Sequence, residues 1–320
     1  PPPPPPPPPR PPHPFTTRRS SDLPVLHETH ISWLILTREF VYKIKKPVAL
    51  SFLDFSTLPL RAYYCKKELF LNQRTEPDMY LDVIPVFERN HSFSFLEDGD
   101  VVDYAVKMKR IPSHLQMDLM LALHLVTRLA VRKLARKIAH FHERCPVIRN
   151  EKWDLAKDYW NDYQDLLNNL GVLSHVLGKK REDQIKKSSA LVGEFLIKYA
   201  NQIEARKETG FIRDVHGDLH SGNIFLGKAP ILFDCIEFND HFRQIDVLND
   251  IGFLLMDLDA KGEKELAICF LQNYLRHFKA AESNFHKMLL EFFNGHRAKV
   301  RAKVLPIKLE TGPPKDLGSL

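Results

Sequence analysis

The pattern of apolar and polar positions changes character about a third of the way along the chain. Residues 31–37 and 40–45 are rich in β-branched and aromatic side chains on either side of the polar break Arg38-Glu39, which predicts two strands joined as a hairpin. Residues 60–74 space Tyr64, Leu69 and Leu71 at helical intervals among Lys66, Lys67 and Glu68, and Pro77 marks a point the helix cannot pass. Residues 81–87 and 101–108 return to strand character. The first hundred residues therefore read strand, strand, helix, strand, strand.

From residue 117 to 142 the period becomes helical. Leu121, Leu125, Leu129, Leu134, Ile138 and Phe141 form one apolar stripe among Arg128, Arg132, Lys133, Arg136 and Lys137, predicting one long helix. Residues 153–177, 184–206, 248–255 and 265–276 also read as helices, and 224–226 with 231–233 as short strands around the turn Gly227-Lys228. A small β-rich part followed by a larger helical part with a hairpin inside it predicts an α+β, bilobed fold, the lobes covering residues 25–110 and 111–312 and meeting near 109–112. Residues 1–9 are all proline, so 1–24 are expected to form a polyproline II or disordered tail, with SH3-like or WW-like docking as the competing reading, and 313–320 a second tail.

Composition adds bounds. The chain has 320 residues, 44% hydrophobic and 27% charged, enough to bury a core for one large domain or two lobes. A formal charge of +6 spread over that surface names no partner. Cys65, Cys145, Cys235 and Cys269 stand far apart without a Cys-x-x-Cys pair, so they read as small core hydrophobes in a reducing compartment. No apolar run approaches the ~20 residues of a membrane helix, and the start lacks signal-peptide features; a cytoplasmic protein without a membrane partner is expected. Arg297, Lys299, Arg301 and Lys303, and the basic residues of 128–137, lack aromatic interleaving, so they read as solvated faces and no nucleic-acid partner is expected.

Between Val215 and Phe238 the chain gathers His216, Asp218, His220, Asn223, Asp234 and Glu237 around short strands, more ligand-type side chains than a loop needs for folding. Phosphoryl transfer requires a carboxylate near the acceptor hydroxyl and oxygen ligands that fix Mg²⁺ against nucleotide phosphates. Asp218, Asn223 five positions on and Asp234 after a strand pair supply that set in kinase order. A metallophosphoesterase reading of Gly217-Asp218-Leu219-His220 fails because its companion Asp-x-His and Gly-Asn-His motifs are missing.

The segment His216-Gly217-Asp218-Leu219-His220-Ser221-Gly222-Asn223 resembles the loop of the aminoglycoside phosphotransferase and choline kinase family of the protein kinase-like fold. Glu28 to Trp33, Tyr42 to Val48, Phe52 to Thr57, Asp234 to Phe238, and Asp246 with Asp250 look like the bacterial branch of that family sometimes fused to a P-loop domain. The resemblance, over about residues 28–303, implies an ATP- and Mg²⁺-dependent phosphotransferase acting on a hydroxyl of a small molecule. It implies Asp218 as catalytic base, Asn223 and Asp234 as Mg²⁺ ligands, and His216 as a residue that orders the loop. No Gly-x-x-x-x-Gly-Lys-Ser/Thr motif occurs, so no fused P-loop domain is expected in this chain, which reads as a stand-alone version or a fragment.

Alternation places Val41, Lys43 and Lys45 on one face of their strand, so the lysine for the nucleotide phosphates is Lys43 or Lys45, with Lys43 favoured and Glu68 as its helix partner. No Gly-x-Gly-x-x-Gly loop is present to cover phosphates, and Thr37-Arg38-Glu39 is a turn without glycine. Asp246 and Asp250 are expected to bind loop backbone, not metal. The basic run from Arg297 argues against an aminoglycoside acceptor. The alternative function is a catalytically weak, nucleotide-binding kinase-like module.

Overall fold

The computed structural model describes residues 24–50, 52–150, 152–168 and 178–310. The expected tails, and the end of the helix expected over 153–177, fall outside the described residues, apart from Pro24.

The first lobe is a six-stranded antiparallel sheet of order β1-β2-β3-β8-β6-β7. Its strands are β1 (Val25–Glu28), β2 (Ser32–Leu36), β3 (Phe40–Lys45), β6 (Tyr80–Arg89), β7 (Ser92–Ser94) and β8 (Asp100–Lys109); the short pair β4 (Ala49–Leu50) and β5 (Leu53–Asp54) stands apart. The first two hairpins close with the same chemistry. Thr29 Oγ1 accepts from Ser32 N at 2.9 Å and donates to Ser32 O at 3.0 Å, and Thr37 does the same to Phe40 at 3.1 and 3.0 Å. A threonine hydroxyl thus closes each turn where glycine is absent.

Helix α1 (Leu58–Gln73) packs on this sheet, capped by Thr57 with a proline in its first turn. Its buried positions include Arg61, Cys65, Glu68 and Asn72, three or four residues apart, so the face it turns inward is largely polar. Such a face needs partners for its polar groups: Asp103 of β8 for Arg61, the β3 lysines for Glu68 and the second lobe for Asn72.

The second lobe holds α2 (Met117–Ala122), α3 (Arg128–Arg144), α4 (Leu155–Asn168), α5 (Lys179–Glu208), α6 (Val247–Ala260), α7 (Lys264–His277) and α8 (Asn284–Glu310). Two short ladders, β9 (Ile212–Asp214) with β12 (Gln244–Asp246) and β10 (Ile224–Leu226) with β11 (Pro230–Leu232), carry the loops between. Its core joins α3, α6 and α7 through Leu134, Ile138, Ile251, Leu254 and Phe270, with Leu289 and Phe293 of α8. The α+β, bilobed arrangement expected from the sequence is the one observed, and all four cysteines are buried and free. Among the described residues no helix is long and apolar enough to cross a membrane.

Two expectations are corrected. The long helix over 117–142 is two helices, interrupted where His124 adopts φ 55° and Thr127 caps α3 by accepting from Ala130 N at 3.2 Å. The break resets the helical register, leaving Leu125 and Leu129 56% and 61% exposed while Val131, Leu134 and Ile138 are buried. Helix α8 was not among the expected elements, and its Arg297 is buried, not part of a solvated face.

The lobes are tied near the end of α1. Arg74 donates to Asp214 Oδ1 at 2.7 Å and to Val215 O at 3.0 Å, while Glu76 accepts from Leu232 N at 2.8 Å and pairs with Lys137.

Candidate active site

A cleft of about 1420 Å³ runs between the lobes, with Lys43, Asp218 and Asp234 all on its wall. Its floor is set by the loop between β9 and β10. His216 is buried there, and its Nε2 donates to Phe233 O at 3.0 Å while its Nδ1 accepts from Asp218 N at 3.3 Å. That pattern requires the neutral imidazole, and burial lowers its pKa in the same sense. Gly217 follows with φ +85°, and a Cβ there would stand 2.7 Å from Phe242 O, so only glycine fits. Asp250 accepts from Gly217 N at 2.8 Å, from His216 N at 3.3 Å and from His142 Nε2 at 3.0 Å, the backbone-binding place expected of it. Asp246 instead caps α6, accepting from Leu248 N at 2.8 Å, and forms an ion pair with Arg206.

The carboxylate of Asp218 faces His220 Nε2 at 3.5 Å and accepts from Asn223 Nδ2 at 2.9 Å. His220 Nδ1 accepts from Gly222 N at 3.0 Å, which places the ring proton on Nε2, toward Asp218. Burial opposes charge on Asp218, but His220, His216 and Arg297 outweigh it and hold the carboxyl at about 2. Asn223 also donates Nδ2 to Asp218 O at 3.0 Å, which spends its amide nitrogen inward and leaves its carbonyl oxygen able to ligate a cation.

Asp234 follows β11 with φ +64°, a left-handed conformation uncommon outside glycine, asparagine and aspartate, which its surroundings hold in place. The surroundings are visible: Tyr80 Oη accepts from Asp234 N at 3.1 Å and Asn72 Oδ1 accepts from Cys235 N at 3.0 Å. Polar residues of the first lobe thus dictate the turn that presents Asp234.

Lys43 and Lys45 project from one face of β3, and both reach Glu68, Lys43 at 2.9 Å and Lys45 at 2.7 Å. Lys43 also meets Asp234 at 2.5 Å, and Lys45 meets Glu237. Lys43 lines the cleft, whereas Lys45 is fully buried behind it. Burial works against the charge of both, and the carboxylates of Asp234, Glu68 and Glu237 overcome it, raising the pKa of each lysine. The same pairing keeps Glu68 well below the usual carboxylate range despite its burial. Sequence reasoning singled out Lys43, Lys45, Glu68, Asp218, Asn223 and Asp234, and the structure gathers all six around the cleft. It gave Glu237 no role; the spacing of Glu237 from Asp234 was the available signal.

A further residue emerges at the β1–β2 turn. Ser32 is fully buried on the cleft wall, and its Oγ has no hydrogen-bond partner among the described residues. The sequence drew attention to the following turn, Thr37 to Glu39, and not to Ser32. Its signal was the Thr-x-x-Ser spacing of Thr29 and Ser32, which closes the turn.

No protein-family model matches the chain. It is 31% identical over 306 residues to uncharacterized proteins of Mycobacterium bovis and Mycobacterium tuberculosis, an alignment that takes in 95% of this chain. The chain spans 58% of the length of these curated relatives. Among solved structures it is similar to a glucosamine kinase in complex with glucosamine, ADP and inorganic phosphate, at 13% identity and a TM-score of 0.45, covering 85% of this chain and 68% of that one. An aminoglycoside-3'-phosphotransferase of type VIII matches at 17% identity and a TM-score of 0.41, over 84% and 88% of the two chains. A choline/ethanolamine kinase family protein from Mesorhizobium loti matches at 12% and 0.39, over 90% and 89%.

Proposed function

We propose that the protein is an ATP- and Mg²⁺-dependent phosphotransferase acting on a hydroxyl group of a small molecule. The observation that carries this reading is the contact of Lys43 with Glu68 at 2.9 Å and with Asp234 at 2.5 Å, beside a loop that presents Asp218 and Asn223. Strand lysine, helix glutamate, metal aspartate and loop carboxylate are the parts that phosphoryl transfer needs in one place.

The residues fit the implied ligands. Among the described residues no three His, Cys, Asp or Glu side chains converge as a metal cage. Asn223 and Asp234 offer only two oxygen ligands, which suits Mg²⁺, an ion that takes its remaining ligands from phosphates and water. The orphaned Ser32 hydroxyl is a donor in want of an acceptor, as a phosphate oxygen would provide. Bound MgATP supplies the transferable phosphoryl group. In this reading Lys43 neutralises phosphate charge, Glu68, itself fixed by Lys45, holds Lys43 in place, and Asp218 accepts the proton of the acceptor hydroxyl. His220 and Asn223 aim that carboxylate.

The basic run from Arg297 does not by itself decide against an aminoglycoside acceptor. Arg297 and Arg301 are engaged within the protein, by Gly217 O and Asn249 and by Asp257, and the side chain of Lys303 lies outside the described residues. All three of Arg297, Lys299 and Arg301 nonetheless touch the cleft wall, and Asp158 and Asp162 line the same cleft. The acceptor is therefore assigned only as a hydroxyl compound.

The test is ATP consumption measured against a panel of small hydroxyl compounds, with Asp218→Asn as the blank. Turnover with at least one acceptor that the variant lacks supports the enzyme. Nucleotide binding with equal, residual turnover in both proteins would favour a binding module.

A further inference from the structure

A buried cation that the mechanism above does not use stands directly behind the catalytic loop. Arg297 of α8 is 6% exposed. Its Nε donates to Asn249 Oδ1 at 2.7 Å and to Asn249 O at 3.3 Å, its Nη1 donates to Gly217 O at 3.1 Å, and its guanidinium lies 5.1 Å from the centre of the Phe253 ring. No carboxylate lies within ion-pair distance of it among the described residues. Burying a guanidinium on neutral oxygens is an expensive way to stabilise a fold, since apolar residues of similar volume commonly do as well. Its retention at this place calls for another reason.

The place supplies one. The carbonyl of Gly217 belongs to the Gly217–Asp218 peptide plane, which is rigid, so fixing that oxygen also fixes Asp218 N. Asp250 grips the preceding N–H of Gly217 at 2.8 Å, and Asp218 N donates to His216 Nδ1 at 3.3 Å. Gly217 itself stands at φ +85° and, as a glycine, has more conformational freedom to lose than its chain neighbours His216 and Asp218. Asp250 and Asn249 are neighbours on α6, so the two sides of Gly217 are held from α6 directly and from α8 through Arg297. One turn further along α8, Arg301 meets Asp257, which accepts from Ser221 N at 3.0 Å and so anchors the far end of the same loop.

We propose that Arg297 is a positioning residue for phosphoryl transfer: by holding the carbonyl of Gly217 it sets the Gly217–Asp218 peptide plane and so the aim of the Asp218 carboxylate into the cleft. Helix α8 is then a strut for the catalytic loop. This rests on the reading of Asp218 as the carboxylate that meets the acceptor.

The test compares wild type, Arg297→Met, Arg297→Lys and Asp218→Asn by phosphate release from MgATP, and by amide exchange of the loop peptide covering residues 216–221. Misaiming the carboxylate should lower kcat by about 10- to 100-fold in Arg297→Met with KM for MgATP changed less than about twofold. Arg297→Lys, which can reach Gly217 O or Asn249 but not both, should recover part of that loss. Loop amides should exchange faster in Arg297→Met than in wild type. An unchanged kcat, a change confined to KM, or unchanged loop exchange would overturn the inference. Should the methionine variant not fold, the lysine variant provides the same comparison, with intermediate losses expected and wild-type values overturning it. Asp218→Asn separates the two levels: wild-type turnover there sinks the assignment of Asp218, whereas an inactive Asp218→Asn beside a normal Arg297→Met sinks only the role of Arg297. If wild type releases no phosphate, loop exchange alone decides on Arg297.

Discussion

Lys43 of the sheet lobe and Asp234 of the helical lobe stand 2.5 Å apart, and each has a second allegiance. Lys43 also holds Glu68 at 2.9 Å, and the Asp234 side chain is 41% exposed to the cleft. A cation entering beside Asn223 can draw the Asp234 carboxylate away without leaving Lys43 unpaired. Asp234→Asn is therefore expected to weaken Mg²⁺-dependent nucleotide binding by about tenfold or more while costing less than about 1 kcal/mol of stability. Calorimetric titration of nucleotide with and without Mg²⁺, beside urea unfolding, checks both halves.

Glu68 has the opposite profile. It is fully buried, and two lysines depend on it, so Glu68→Gln leaves Lys43 and Lys45 sharing what Asp234 and Glu237 can offer. The expected loss is about 3–5 kcal/mol, the cost of breaking a buried pair from one side. Chemical unfolding should show a midpoint shifted far more than in Asp234→Asn; equal shifts would contradict the network.

Gly217→Ala brings a Cβ to 2.7 Å from Phe242 O at a backbone angle that alanine resists. The expected cost is about 1–3 kcal/mol of strain, relieved by moving the loop. Phosphate release should fall with it, while nucleotide affinity, which in the proposed reading depends on Lys43 and Asp234, should change little.

Lys299 gives a pH prediction. Its amine sits 2.8 Å from the centre of the buried Tyr163 ring, and burial lowers its pKa to about 7. The unfolded chain keeps an ordinary lysine near ~10.4. Between these values the unfolded state binds the extra proton, so stability rises with pH from about 7 to about 10. Lys299→Met should lack this rise when its unfolding free energy is followed against wild type over that range. A parallel pair of curves would refute the assignment.

How far the sequence reveals this molecule depends on what made each feature local. Strand β3 was readable over its full length, because alternation alone places Lys43 and Lys45 on one face. The loop from His216 to Asn223 was readable because its chemistry is contiguous in the chain. The break between α2 and α3 was not, because Leu121, Leu125 and Leu129 keep helical spacing straight across it, and only the cap at Thr127 marks the reset. Leu125→Ser and Leu129→Ser should each change stability by less than about 0.5 kcal/mol, against about 2–5 kcal/mol for Leu134→Ala. Arg297 was illegible for a different reason, since its meaning comes from Gly217, remote in sequence; Ser32 showed only as the turn-closing partner of Thr29, and its place on the cleft is set by the fold.

The two threonine-closed turns have a consequence for the temperature dependence of binding. A glycine-rich cover is a loose strap that must surrender many conformations when it closes over a ligand. The Thr29–Ser32 turn carries its own hydrogen bonds and holds one shape beforehand. As the cover of a nucleotide it would work as a preset jaw, with little ordering entropy left to lose on closure. Affinity for nucleotide would then respond to heating through the enthalpy of the polar contacts, with only a small share from the ordering of the turn.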